Sequence, residues 1–247
     1  MAKNVIITGA ASGMGFLSAK CFAKQGDNVV LTDVNEDALQ KCVDQIIADG
    51  GNAIGTVCDV RDYTQVCAVC ALANEKFGSV DVVINLAGGA ECRMLNCFNK
   101  EFPDVPIEVY DWGIDVNLKG QFYFCHAAMK YMREQKSGVI INIGSITGEE
   151  GCGTNIAYST SKSAAMNGLT KSVALYGGKY GVRCVCVSPG PVLTRPGMAS
   201  MKTLVGRAAE PQEIVDMIIY LAGEKAAFVT GVNILMDGGR NIMRNKG

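Results

Sequence analysis

Tyr158 and Lys162 stand four residues apart in Tyr158-Ser159-Thr160-Ser161-Lys162. On a helix that spacing places a phenol and an ammonium on one face, one turn from each other. Free tyrosine ionises at a pH of about 10 and carries protons poorly at neutrality. A positive charge held beside it favours the phenolate and lowers that pKa, which makes the phenol a usable acid or base. Two surface neighbours on a helix would look the same, so the chemical reading depends on what other elements bring to the pair.

One such element opens the chain. Val5-Ile6-Ile7-Thr8 has the pattern of a buried strand and runs directly into Gly9-Ala10-Ala11-Ser12-Gly13-Met14-Gly15. A helical stripe of Phe16, Leu17, Ala19, Cys21, Phe22 and Ala23 follows and ends near Gly26. A glycine-rich turn between a strand and a helix N-terminus lets backbone N–H groups approach a pyrophosphate, and the helix dipole favours its charge. The spacing Thr-Gly-x-x-x-Gly-x-Gly differs from the general G-x-G-x-x-G. Asp33 closes the second strand, where a carboxylate can accept from both adenosine ribose hydroxyls and repel a 2′-phosphate. Ser12, Val34 and Asn35 add no cation, so NAD(H) is expected over NADP(H).

The elements that must position these residues alternate. Strands are expected at 28–32, 53–58, 80–85, 139–143, 183–187 and 231–236, with helices at 37–48, 63–77, 108–135 (bending near Gly120), 158–176 and 211–223. Pro211 suits the start of the last helix. Residues 90–107 and the Pro-, Gly- and Met-containing stretch 189–207 are irregular. This predicts an α/β, Rossmann-type doubly wound parallel sheet of about seven strands with helices on both faces, forming one domain over 1–247.

Bulk composition excludes other classes. Lys+Arg 23 against Asp+Glu 24 offers no field for nucleic acid or an anionic membrane. No basic region, long apolar core or cleavage site follows Met1, and no apolar run approaches the roughly 20 residues of a membrane span. With eleven scattered cysteines, this points to a cytoplasmic protein. Cys67 and Cys70 form C-x-x-C inside an expected helix, without a second pair or an adjacent His, so no metal is expected. His126, the single histidine, is not expected to be catalytic.

Thr8 to Gly15, Asp59-Val60, Asn85-Leu86-Ala87-Gly88, Asn117, Ser145, Tyr158-x-x-x-Lys162 and Pro189-Gly190 occur in an order that resembles the classical short-chain dehydrogenase/reductase family. The likeness extends to Met236-Asp237-Gly238-Gly239, and Ser145 precedes Tyr158 by the thirteen residues familiar there. The resemblance implies a catalytic set of Asn117, Ser145, Tyr158 and Lys162. Tyr158 would exchange a proton with the substrate oxygen and Ser145 would hydrogen-bond that oxygen. Lys162 would hold the nicotinamide ribose and lower the Tyr158 pKa, and Asn117 would hold a relay water. Gly9, Ser12, Gly13, Met14 and Gly15 would carry the cofactor phosphates, and Asp33 the adenosine ribose. Asp59 and Val60 would meet the adenine, and Asn85, Ala87 and Gly88 would lie along the cofactor. Pro189, Gly190, Val192 and Thr194 would line the nicotinamide side. The family's Asn-Asn-Ala-Gly departs here through Ile84 before it and Leu86 within it. Gly177-Gly178 replaces a helix-favouring pair, so that helix is expected to end early.

The implied activity is interconversion of a secondary alcohol and a ketone, on a hydroxysteroid or bile acid, or on a polyol or sugar, by a homo-oligomer (dimer or tetramer). Met198 and Met201 favour an apolar substrate, whereas Glu149 and Glu150 oppose one; Cys152 lies in the same loop as these acids. A 3-oxoacyl-carrier-protein reductase is disfavoured, because Leu175 stands where such enzymes resemble one another in carrying an Arg. A non-catalytic NAD sensor would have lost the Tyr or the Lys.

Overall fold

The computed structural model describes residues 2–244. Seven strands form one parallel sheet in the order β3-β2-β1-β4-β5-β6-β7: β1 (Asn4–Thr8), β2 (Asn28–Asp33), β3 (Asn52–Val57), β4 (Val82–Asn85), β5 (Gly138–Ile143), β6 (Val182–Pro189) and β7 (Asn233–Met236). The helices are α1 (Gly13–Lys24), α2 (Glu36–Ala48), α3 (Tyr63–Phe77), α4 (Glu91–Met94), α5 (Ile107–Ile114), α6 (Gly120–Gln135), α7 (Thr147–Glu150), α8 (Ile156–Ala164), α9 (Thr170–Gly178) and α10 (Pro211–Ala222).

Side chains of a strand alternate between faces, and β1 feeds two cores accordingly. Val5 and Ile7 join Phe22, Ile46, Ile214 and Leu221 under α1, α2 and α10. Ile6 joins Val69, Phe124, Met132 and Cys184 under α3, α6 and α9. Strand order reverses between β1 and β4, so their carboxyl ends flank a crevice, the usual ligand position in such sheets. Among the described residues no helix is long and apolar enough to cross a membrane.

The expected helices over 108–135 and 158–176 are both interrupted. A π-helical turn, Asp115–Lys119, joins α5 to α6 just before the bend expected at Gly120, and a second, Ala165–Leu169, joins α8 to α9. Such turns are frequent at functional sites, and here each lies on a helix bearing a candidate catalytic residue. The second helix does not end early but continues through Gly177 and Gly178. Gly177 is closely packed: a Cβ there would lie 3.0 Å from the Val182 carbonyl oxygen and 3.2 Å from Met129. Residues 90–107 are more ordered than expected, with α4, a 3₁₀ turn at Phe102–Asp104 and a small core of Cys92, Cys97, Val105 and Val109. β4 begins at Val82 and β7 at Asn233, whereas β6 extends to Pro189.

Candidate active site

The glycine-rich turn is shaped by backbone contacts. Gly9 and Gly13 adopt left-handed φ of 64° and 52°. A Cβ on Gly15 would lie 2.1 Å from the Gly9 carbonyl oxygen, so α1 seats directly on the turn, whereas Gly13 faces open space. Thr8 accepts from the Ala87 amide at 2.9 Å, and a Cβ on Gly9 would lie 2.9 Å from the Ala87 Cα, which locks the β1 turn to the β4 turn. Asp33 accepts from the amides of Ala11 (3.1 Å) and Asn35 (3.1 Å), placing its carboxylate beside the turn. An open glycine at a helix N-terminus beside this carboxylate fits a dinucleotide.

On the other wall, Lys162 is 3% exposed. Its ammonium donates to the Ile143 carbonyl at 2.7 Å and stands 5.6 Å from the Tyr158 ring centroid. Burial lowers its pKa to about 8. The Tyr158 phenol is subject to opposing influences. Burial pushes the phenol up, and the influences that oppose it are a hydrogen bond with Ser145 and the charges of Arg195 and Arg93. Sequence reading named neither arginine. Ser145 is buried, and its hydroxyl accepts from the Thr147 amide (3.2 Å) and hydroxyl (3.0 Å).

Asn117, fully buried in the first π-turn, works as a clamp. Its Nδ2 donates to the carbonyls of Gly89 and Gly113, both at 2.9 Å, and its Oδ1 accepts from the Gly89 amide at 3.0 Å. It holds the turn after β4 against α5. Asn85 donates to Asn142 at 2.9 Å beneath that turn. Gly88 is also crowded, since a Cβ there would lie 2.6 Å from Asn117 Oδ1.

Sequence reading also missed Glu91. Its carboxylate is fully buried and accepts from the amides of Ala157 (2.9 Å) and Tyr158 (3.0 Å). Asn155, at the start of α8, makes no side-chain cap; Glu91 supplies it from 67 residues away. A carboxylate at a helix N-terminus satisfies free amides and complements the dipole, here at the amide of Tyr158 itself. No local spacing rule could have found it.

The remaining candidates distribute as follows. The Asp59 carboxylate is engaged bidentately by Arg61 at 2.6–3.0 Å, which lowers its pKa through those hydrogen bonds. Val60 is buried against Gly120, where a Cβ would lie 2.7 Å from it. Pro189 accepts from the Ile146 amide at 2.9 Å, and Gly190 lets the chain pass Asp237, whose Cα would stand 2.6 Å from an added Cβ. The Val192 side chain belongs to the core, and exposed Thr194 closes a turn onto the Val192 carbonyl at 2.7 Å. Glu150 pairs with Arg240 at 3.4 Å rather than standing free at the rim. Cys152 bonds Thr154 and Asn155 and lies near enough to act on the Tyr158 ionisation. His126 faces Tyr63 on the α3–α6 surface, 2.5 Å from its hydroxyl. Burial pushes the Cys70 thiol up to about 12.

The sequence profile of a family described as enoyl-(acyl carrier protein) reductase matches residues 9–241. The L-rhamnose 1-dehydrogenase (NAD(P)(+)) of Azotobacter vinelandii (strain DJ / ATCC BAA-1303) is 34% identical over 253 residues, covering 96% of each chain. The trans-4-hydroxycyclohexanecarboxylate dehydrogenase of Sinomonas cyclohexanicum is 36% identical over 255 residues, covering 98% of this chain and 94% of the relative. Among solved structures, an NAD+-bound xylitol dehydrogenase superposes with a TM-score of 0.87 at 27% identity, over 96% of this chain and 98% of the other. With the sheet, the glycine turn and the Ser145–Tyr158–Lys162 cluster described above, these likenesses establish that the chain belongs to the short-chain dehydrogenase/reductase family and is an oxidoreductase acting on alcohol groups.

Proposed function

We propose that this enzyme interconverts a secondary alcohol and a ketone with NAD(H), and that Tyr158 exchanges the proton with the substrate oxygen. The observation that carries the reading is the convergence of the Tyr158 phenol, the Ser145 hydroxyl and the Lys162 ammonium beside the turn of Gly9 to Gly15. When bound, the nicotinamide supplies or accepts the hydride. Ser145 hydrogen-bonds the substrate oxygen and stabilises charge as it develops. Tyr158, fixed at its backbone by Glu91, takes the proton in oxidation and returns it in reduction. Lys162, held by Ile143, presents its other N–H donors to the nicotinamide ribose hydroxyls, and Asn117 sets the turn along which the cofactor lies and holds a relay water. The phosphates are carried by Gly9, Ser12, Gly13, Met14 and Gly15, with Asp59, Val60, Asn85, Ala87, Gly88, Pro189, Gly190, Val192 and Thr194 lining the remainder.

Asp33 beside the glycine turn supports NAD over NADP, and Arg61, a cation on the neighbouring strand end, is already taken by Asp59. Replacing Asp33 with Ala should narrow an NAD+ over NADP+ preference by about tenfold, one ion–phosphate repulsion of about 1.4 kcal/mol; a wild type that prefers NADPH would refute the assignment. The names of the relatives support a polyol, sugar or hydroxy acid over a hydroxysteroid. Eleven unpaired cysteines support a cytoplasmic protein. Exposed Phe122 (51%), Leu175 (83%) and Tyr176 on α6 and α9 support a homo-oligomer formed through those helices.

The test is an NAD+-reduction screen over polyols, sugars, hydroxy acids, steroids and bile acids. NADH formation with a secondary alcohol is expected. Tight NADH binding without turnover of any class would favour the sensor instead.

A further inference from the structure

We infer that Arg240 is a positioning residue that straps the exposed loop 193–207 to the turn carrying Ser145, and so sets how tightly the enzyme encloses its alcohol. The kinetic part of the inference rests on the oxidoreductase reading above; the strap itself does not.

The turn is the fixed point. The Thr147 amide and hydroxyl both donate to the Ser145 hydroxyl. From Thr147 the chain runs through α7 to Glu150, whose amide donates to the Ile146 carbonyl at 3.0 Å. A Cβ on Gly148 would lie 2.8 Å from the Ser163 amide nitrogen and 3.0 Å from the Lys162 carbonyl carbon, so α7 is seated tightly on α8. The loop is the part that can lift. It leaves β6 beside this turn, where the Pro189 carbonyl accepts from the Ile146 amide at 2.9 Å. Within residues 193–207 only Thr203 is buried, so little apolar burial holds the loop down.

Polar contacts and the C-terminal turn hold it instead. At the loop's exit Arg207 pairs with Glu213 on α10. The Val205 amide donates to the Gly238 carbonyl at 3.1 Å, and a Cβ on Gly239 would lie 3.0 Å from the Leu204 Cβ. The C-terminal turn has a fixed form. Gly238 and Gly239 take left-handed φ of 60° and 78°, and the Asp237 carboxylate accepts from the amides of Gly239 (2.9 Å) and Asn241 (2.5 Å). From that turn Arg240 reaches both other segments. Its Nη1 donates to the Lys202 carbonyl at 3.1 Å, and its Nε stands 3.4 Å from Glu150 Oε2. The two side chains of the pair are 12% and 14% exposed, so salt screens them less than a surface pair. The planar fork of arginine lets one group serve a carboxylate and a carbonyl in fixed directions. One guanidinium thereby ties the loop to the turn that places Ser145, and a fastened loop narrows the way in to that hydroxyl and excludes water.

The carbonyl that Arg240 holds belongs to the peptide bond a lysine-specific protease would cut, and Lys202 is the single lysine of the loop. Cleavage after Lys202 therefore reads the strap directly. Arg240→Gln should be cut there about tenfold faster than wild type, because proteolysis follows the population of the open loop. With an alcohol that wild type turns over, KM should rise about tenfold while kcat stays within about threefold, the loss of one charge-assisted contact. The NADH dissociation constant should stay within about twofold. Arg240→Lys keeps the charge without the fork and should recover part of both effects. Glu150→Gln keeps the shape of the acid and should show each effect at about threefold. Cleavage after Lys202 that is unchanged in both Gln variants overturns the strap. Faster cleavage with an unmoved KM overturns its part in enclosing the substrate. Faster cleavage at every lysine, with NADH affinity lost as well, assigns Arg240 to general stability and also overturns the proposal. Should Arg240→Gln fail to fold, Glu150→Gln decides on the same readouts. If no alcohol is turned over, the activity reading has failed, and cleavage after Lys202 decides the strap by itself.

Discussion

Between β1 and α1 the cleft is lined by backbone, whereas over Tyr158 it is lined by side chains carried on short segments. The backbone wall, proposed to hold the cofactor, depends on close approach: Gly15 on the Gly9 carbonyl, Gly9 on Ala87, and Thr8 on the Ala87 amide. The wall over Tyr158, proposed to meet the substrate, depends on charge. Glu91 caps α8, Lys162 is buried with one carbonyl partner, and Ser145 and the charges of Arg195 and Arg93 oppose the effect of burial on the phenol. A backbone wall tolerates no added atom but needs only glycines and one acid to specify it. A charged wall tolerates shape change but fails when a buried partner is removed.

The sharpest way to break that contrast is Gly15→Ala. Its methyl would stand 2.1 Å from a carbonyl oxygen that no rotamer can move. We expect a stability loss of at least about 4 kcal/mol and NADH binding below detection. Gly13→Ala is the control: it meets open space and pays only for a left-handed backbone, about 1 kcal/mol. Equal melting temperatures for the two variants would dissolve the cofactor-wall argument.

On the charged wall, Glu91→Ala leaves two buried amides without acceptors, at a cost of about 3 kcal/mol. Because one of them belongs to Tyr158, kcat should fall while the NADH dissociation constant holds. Glu91→Gln keeps an acceptor and should recover part of both losses. An unchanged unfolding curve for the Ala variant would remove Glu91 from the positioning of Tyr158.

Lys162→Met should act in the opposite direction on stability. Burial lowers the Lys162 pKa from 10.5 to about 8, so the folded state carries a penalty when this lysine is protonated. The penalty is complete below pH 8 and lifts as pH rises toward 10.5, because there the unfolded chain still binds the proton that the fold has lost. The cofactor-free Met variant should therefore exceed wild type at pH 7 by an amount on the order of 2 kcal/mol, and denaturant unfolding should show the gap closing between pH 8 and 10.5. A gap independent of pH would mean that the buried charge is not its source.

The same contrast explains what the sequence disclosed. Thr8 to Gly15, Asp33 and the Tyr158–Lys162 pair are local patterns whose physics is contained in a few adjacent residues, and the structure places them around one crevice. The bend expected at Gly120 appears as a π-turn just before it, because glycine marked the place but not its form. Gly177 suggested an early helix end, since the close approach of the Val182 carbonyl to its Cα is invisible to helix propensity. Glu91 gave no signal, because its partners, the amides of Ala157 and Tyr158, are remote in sequence. Glu150 read as a rim acid until Arg240, 90 residues away, was brought to it. The hydrogen bond from Lys162 to the Ile143 carbonyl, 19 residues away, was equally invisible in the sequence.

The central claim is that the Tyr158 phenol moves the proton while the backbone wall holds the cofactor. Tyr158→Phe tests it most directly, with NADH affinity and alcohol turnover measured on the same preparation. The account predicts an NADH dissociation constant within about twofold of wild type and a kcat at least about 10³-fold lower, as expected for loss of a general acid–base. Turnover retained at wild-type rate would contradict it.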